Sequence, residues 1–177
     1  MARYHFVTDI DLAATPDPVW DVLEDPTGWP AWWRELRRVE VLARGRPDGV
    51  GRRYRLHVRT ALPYRLGFES ETVRITRPSV WEARIRGDLE GTGLYEVSPR
   101  DGGSRVRHTW IVATTRPWMN ALAPIARPAF AWNHEVLMRD FAAGLAGRLG
   151  VPLRSVQVRQ VRGDEPGFGT LSPSSAV

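Results

Sequence analysis

The chain has no cysteine, and none of its 25 basic residues is lysine. The first absence excludes a disulfide framework, a thiol nucleophile and any thiolate metal site. The second excludes Schiff-base chemistry and a Walker-type phosphate site. No apolar run approaches the roughly 20 residues that a membrane span requires, so stable membrane insertion is not expected. No HxxxH or HExxH spacing and no Gly-x-Ser-x-Gly elbow occurs, and "GTG" at 91–93 is followed by strand-like sequence rather than a helix. Neither a metal nor a dinucleotide or other cofactor is therefore expected. The opening "MARYHFVTDIDL" alternates polar and apolar residues and contains no secretory h-region, so a cytoplasmic location is expected. The net charge of +5 rests on arginine without a five-residue basic block. It reads as solvated arginine on outer strand faces, and no nucleic-acid partner is expected.

What is present fits one domain: 177 residues, 42% hydrophobic and 25% charged. Residues 3–13 alternate with Tyr4, Phe6, Thr8, Ile10 and Leu12 on one side, the two-residue period of a half-buried strand. Thr15 stands as an N-cap before Pro16 and Asp17, with Val19, Trp20 and Leu23 on one helical face, and Asp25-Pro26 ends that helix. A second short helix is expected from Pro30 to Leu36. Six further strands follow, and in "RRYRLHVRT" Tyr54, Leu56, Val58 and Thr60 share one face while Arg53, Arg55, His57 and Arg59 share the other. Tyr64, Leu66, Phe68 and Ser70 alternate likewise until a phase slip near Val73, which suggests a bulge. Prolines 124 and 128 should break or delay a helix, whereas "FAWNHEVLMRDFAAGLAGRLG" carries Phe130, His134, Leu137, Phe141 and Leu145 at helical spacing and stops at Gly150 and Pro152. Gly144 and Gly147 within it suggest close packing against the sheet. "SVQVRQV" is either a short strand or nothing, and residues 151–177 are expected to be a mostly disordered tail.

This order, with "DPVWDVLEDPTGWPAWW" after the first strand, the hairpin "VSPRDGGSRVRHTW" and the terminal helix "WNHEVLMRDFAAGLAGRLG", resembles the START/Bet v1-like superfamily, in particular its bacterial polyketide cyclase/dehydrase and lipid-transport branch. The resemblance covers residues 3–150. It implies an α+β helix-grip fold: a seven-stranded curved antiparallel sheet wrapped around a long C-terminal helix, two short helices after strand 1, and a deep apolar cavity between sheet and helix. It also implies a hydrophobic small-molecule ligand, polyketide- or lipid-like, with cyclisation and dehydration as one function and non-catalytic carriage of a lipid or quinone as the other. Trp29, Trp32 and Trp33 then close one end of the cavity, as the plug of its core or as the rim of an entrance able to touch a membrane surface or a protein partner. Oligomeric state is left open by the sequence.

Within such a cavity the inward positions carry the chemistry. His108, in register with Val106, Trp110 and Val112, and His134, on the helix face of Phe130, Leu137 and Phe141, are the candidate proton-moving residues. The alternative for each is a hydrogen-bonded core histidine. Trp33, Tyr54, Phe68, Trp81, Tyr95, Trp110, Phe130, Asn133, Leu137 and Phe141 are the candidate ligand-binding residues. His5 and His57 fall on the wet face.

Overall fold

A computed structural model describes residues 2–161, with residues 122–126 described by backbone alone. The expected tail from residue 162 onward lies outside the described residues. Strand β1 (Arg3–Leu12) is followed by helix α1 (Pro16–Leu23) and a 3-10 helix (Pro26–Ala31). Then come β2 (Leu36–Arg44), β3 (Arg52–Arg59), β4 (Arg65–Thr76), β5 (Val80–Gly87), β6 (Leu89–Arg100), β7 (Gly103–Thr114), helix α2 (Pro117–Leu149) and β8 (Leu153–Gln160). The strands form one antiparallel sheet in the order β2-β3-β4-β5-β6-β7-β1-β8. Its apolar face packs on α2, the helix-grip arrangement, with eight strands rather than the seven expected.

The differences have local causes. Residues 26–31 coil as a 3-10 helix because Asp25 caps them: its carboxylate accepts from the Gly28 amide at 3.3 Å and the Thr27 hydroxyl at 2.5 Å. Pro30 falls inside that coil, not at the start of a new helix, and Leu36 opens β2 instead of ending a helix. Prolines 124 and 128 neither break nor delay α2, which runs unbroken for 33 residues from Pro117. Each proline removes one backbone donor, and the long face containing Phe130, Leu137, Phe141 and Leu145, buried in the core, compensates. Of the segment read as tail, residues 153–160 form β8, the strand alternative left open by "SVQVRQV". It pairs with β1 from Phe6↔Gln160 to Leu12↔Leu153. The slip near Val73 is a register shift between Thr72 and Arg74.

Arginine staples the outer face of the sheet. Asp9 receives Arg107 through two bonds, at 2.7 and 3.1 Å, and Arg159 at 3.3 Å. Asp11 receives Arg105 twice at 2.8 Å and Ser155 at 2.8 Å. The three strands β7, β1 and β8 are thus tied across their polar side, and Asp11 is held down to about 2, first by the Arg105 hydrogen bond.

One contact fixes where α2 lies. A Cβ on Gly144 would stand 2.2 Å from the Trp32 carbonyl oxygen, so only glycine lets the helix approach the 3-10 segment this closely. The close packing is against that segment, not the sheet, and Gly147 faces open space with nothing within 4 Å.

Candidate functional site

Between the sheet and α2 lies a cavity of about 150 Å³. A continuous aromatic cluster closes one end. Trp29 sits at its centre, with ring centroids about 6 Å from Trp32, Trp33, Trp81, Tyr95 and Phe141. Its indole N–H donates to the Val22 carbonyl at 3.1 Å. Trp29 and Trp33 are buried and Trp32 is half-buried, so the tryptophans of "WPAWW" act as a plug. The exposed indoles are Trp118 and Trp132, both on α2.

Strand parity and helix phase bring most of the candidate residues to one wall. Phe68 from β4, Trp81 from β5, Tyr95 from β6, and His108 and Trp110 from β7 meet Phe130, Asn133, His134 and Leu137 from α2, with Trp33 at the plugged end. Gly93 makes this possible: a Cβ there would lie 2.8 Å from the Trp110 ring, so glycine leaves the indole its place in the wall. Trp81 donates its N–H to Thr72 Oγ1 at 3.0 Å, and the Asn133 side-chain oxygen accepts from the Ala61 amide at 2.8 Å, tying α2 to the β3–β4 loop.

Two candidates are not in the wall. Tyr54 lies on the inward face of β3 but toward its β2-side hairpin end, where its hydroxyl feels the charges of Arg52, Asp25 and Glu24. Phe141 is on the correct helix face, yet seven residues beyond His134, or about 10 Å along the axis, it falls in the solid plug against Trp33 and Trp32. Conversely, Tyr4, Phe6, Met119 and Met138, which are not among the candidates, also line the cavity, as do Trp29 and Tyr64. Tyr4 and Phe6 were within reach of the same alternation that placed Thr8 and Ile10 inward.

Both imidazoles are clamped by aromatic stacking. His108 lies against Tyr95, centroids 4.3 Å apart at 22°, and His134 against Phe6, 4.1 Å apart at 13°. Burial lowers both to about 3 from 6.5, and for His108 the charge His134 would carry adds to the effect. Both are neutral at physiological pH, each with one N–H and one lone pair. Burial also raises the phenols: Tyr64 is pushed up to about 12, and Tyr95 moves upward from 10.0 by desolvation alone. His108 Nδ1, His134 Nε2, Trp33 Nε1 and Tyr4 Oη are buried without a hydrogen-bond partner among the described residues. No group of three or more metal-ligating side chains occurs among the described residues, and none of their helices is long and apolar enough to cross a membrane.

Solved structures share this architecture. The Zhui aromatase/cyclase from Streptomyces sp. R1128 superposes with a TM-score of 0.70 at 20% identity, covering 84% of this chain and 94% of its own. A conserved protein from Geobacillus kaustophilus gives 0.66 at 15% identity over 87% and 98%. A START superfamily protein from Mycobacterium smegmatis gives 0.66 at 16% identity over 82% and 97%. No curated protein is similar enough in sequence to count as a relative. The family model "Polyketide cyclase / dehydrase and lipid transport" matches residues 3–150, which span the sheet from β1 to β7 and the whole of α2. The chain therefore belongs to the polyketide cyclase/dehydrase and lipid-transport family, and shares its fold with solved structures that include a START superfamily protein.

Proposed function

We propose that the cavity binds a polyketide-like hydrophobic molecule and promotes its cyclisation and dehydration, mainly by holding it in a ring-forming shape. The observation behind this reading is the pair of neutral imidazoles, each stacked on an aromatic ring, in a wall that is mostly apolar. A folded chain of carbonyls confined there meets N–H donors for its oxygens and lone pairs for the protons of its activated carbons. Conjugate acids near 3 make His108 and His134 weak bases, so positioning carries the larger share of the rate. A cavity of about 150 Å³ takes one aromatic ring or a fused pair, so a longer chain enters by displacing wall side chains or lies partly outside.

That same low basicity favours a second reading, non-catalytic carriage of a lipid or quinone. Turnover separates the two. Incubation with a linear poly-β-ketone should yield cyclised, dehydrated product faster than buffer alone, and His108→Phe with His134→Phe should slow it about 10- to 100-fold. Tight binding with no acceleration would leave carriage as the function.

A further inference from the structure

The cavity wall is unusual in its electrostatics. Among the described residues, no aspartate, glutamate or arginine lines it, and the side chains of residues 122–126 are uncharged by sequence. An anion placed inside would find no cation in the wall itself; Arg127 stands outside it, over the ring of Tyr4. The wall nonetheless holds four of the seven buried side-chain polar atoms that lack a partner among the described residues. Native interiors leave few such atoms unpaired, so their concentration on one cavity points to a polar group that the ligand brings.

Trp33 is the most restrictive of the four. Its indole can only donate, whereas an imidazole changes tautomer and a phenol donates or accepts. The residue is 8% exposed, and its ring packs on Phe141 at 5.1 Å and Trp29 at 6.0 Å. Tyr4 Oη stands elsewhere on the wall, where its ring meets Phe130 edge-on at 6.1 Å and Arg127 lies 5.9 Å over its face.

Resting on the reading that the cavity holds a hydrophobic ligand, we infer that the site selects uncharged aromatic molecules bearing an acceptor oxygen, and that the Trp33 indole N–H takes that oxygen. Phenols, aryl ketones and quinones meet this description. Fatty acids and aryl carboxylates do not, because an ionised carboxylate would lose its water to a wall without a cation.

Three probes of one shape test this by isothermal titration of the full chain near neutral pH: naphthalene, 2-naphthol and 2-naphthoate. Naphthalene should bind, 2-naphthol should bind about tenfold more tightly for one hydrogen bond, and 2-naphthoate at least about 100-fold more weakly than 2-naphthol. In Trp33→Phe, 2-naphthol should fall to the affinity of naphthalene measured on the same variant. Should that variant not fold, the wild-type protein answers through the Trp33 indole N–H proton resonance, which should move downfield with 2-naphthol and not with naphthalene. Equal binding of 2-naphthoate and 2-naphthol, a preference for naphthol that survives in Trp33→Phe, or an unmoved indole resonance would each overturn the inference while naphthalene binding leaves the cavity reading standing. Failure of naphthalene itself to bind would overturn both.

Discussion

Mild acid should destabilise this protein through two imidazoles. Burial holds His108 and His134 near 3 against 6.5 for the free side chain. Between those values the unfolded chain binds protons that the folded chain does not. The stabilisation is fully present above pH 6.5 and is lost as pH falls from there toward 3. At about pH 5 the gap is about 1.5 units for each residue, or about 2 kcal/mol, and about 4 kcal/mol for the pair. Against a total stability of about 5–15 kcal/mol this is a large fraction. Carboxylates lowered by arginine, such as Asp9 and Asp11, release their contribution only below about pH 4, so the interval above that reports the imidazoles. Urea unfolding followed by tryptophan fluorescence at about pH 7 and about pH 5 measures the effect. The wild type should lose about 4 kcal/mol between the two, His108→Phe and His134→Phe about half of that each, and the double variant close to none. A double variant that loses as much as the wild type would refute the assignment of neutral, buried imidazoles.

Other perturbations have defined outcomes. Gly144→Ala should lower stability by about 1–3 kcal/mol because its Cβ would meet the Trp32 carbonyl oxygen, whereas Gly147→Ala, in open space, should raise it by about 0.5–1 kcal/mol; thermal melts of the two variants check the contrast. Trp29→Ala removes the centre of the aromatic plug and should cost about 3–5 kcal/mol in denaturant unfolding. Asp11→Asn should cost about 1 kcal/mol at neutral pH, after allowance for solvent screening. The wild-type advantage over that variant is present above about pH 4 and should disappear in melts as pH falls toward 2.

Much of the sheet could be read directly because alternation reports facing. The period that set Tyr54, Leu56, Val58 and Thr60 against three arginines and His57 reappears as buried and outward positions of β3. The phase slip at Val73 reappears as a shifted register. Strand β8 was harder to read because it is an edge strand with few fully protected side chains, and its partner β1 lies about 150 residues away. The prolines of α2 misled because local propensity ignores what the rest of the helix buries. At the site, periodicity placed His108 and His134 inward but contained no depth. Depth along α2 separates His134 in the cavity from Phe141 in the plug, and position along β3 removes Tyr54 from the wall. The stacking of His108 on Tyr95 follows from the β6–β7 hairpin register, whereas that of His134 on Phe6 brings together α2 and β1, and no local window holds that information.

The location of a heavy-atom-labelled apolar molecule bears most directly on whether the space between sheet and α2 is a ligand site. In crystals soaked with 1-bromonaphthalene, an anomalous bromine peak is expected among Phe68, Trp110, His134 and Leu137. Bromine found only on the outer surface, beside Trp118 or Trp132, would contradict it.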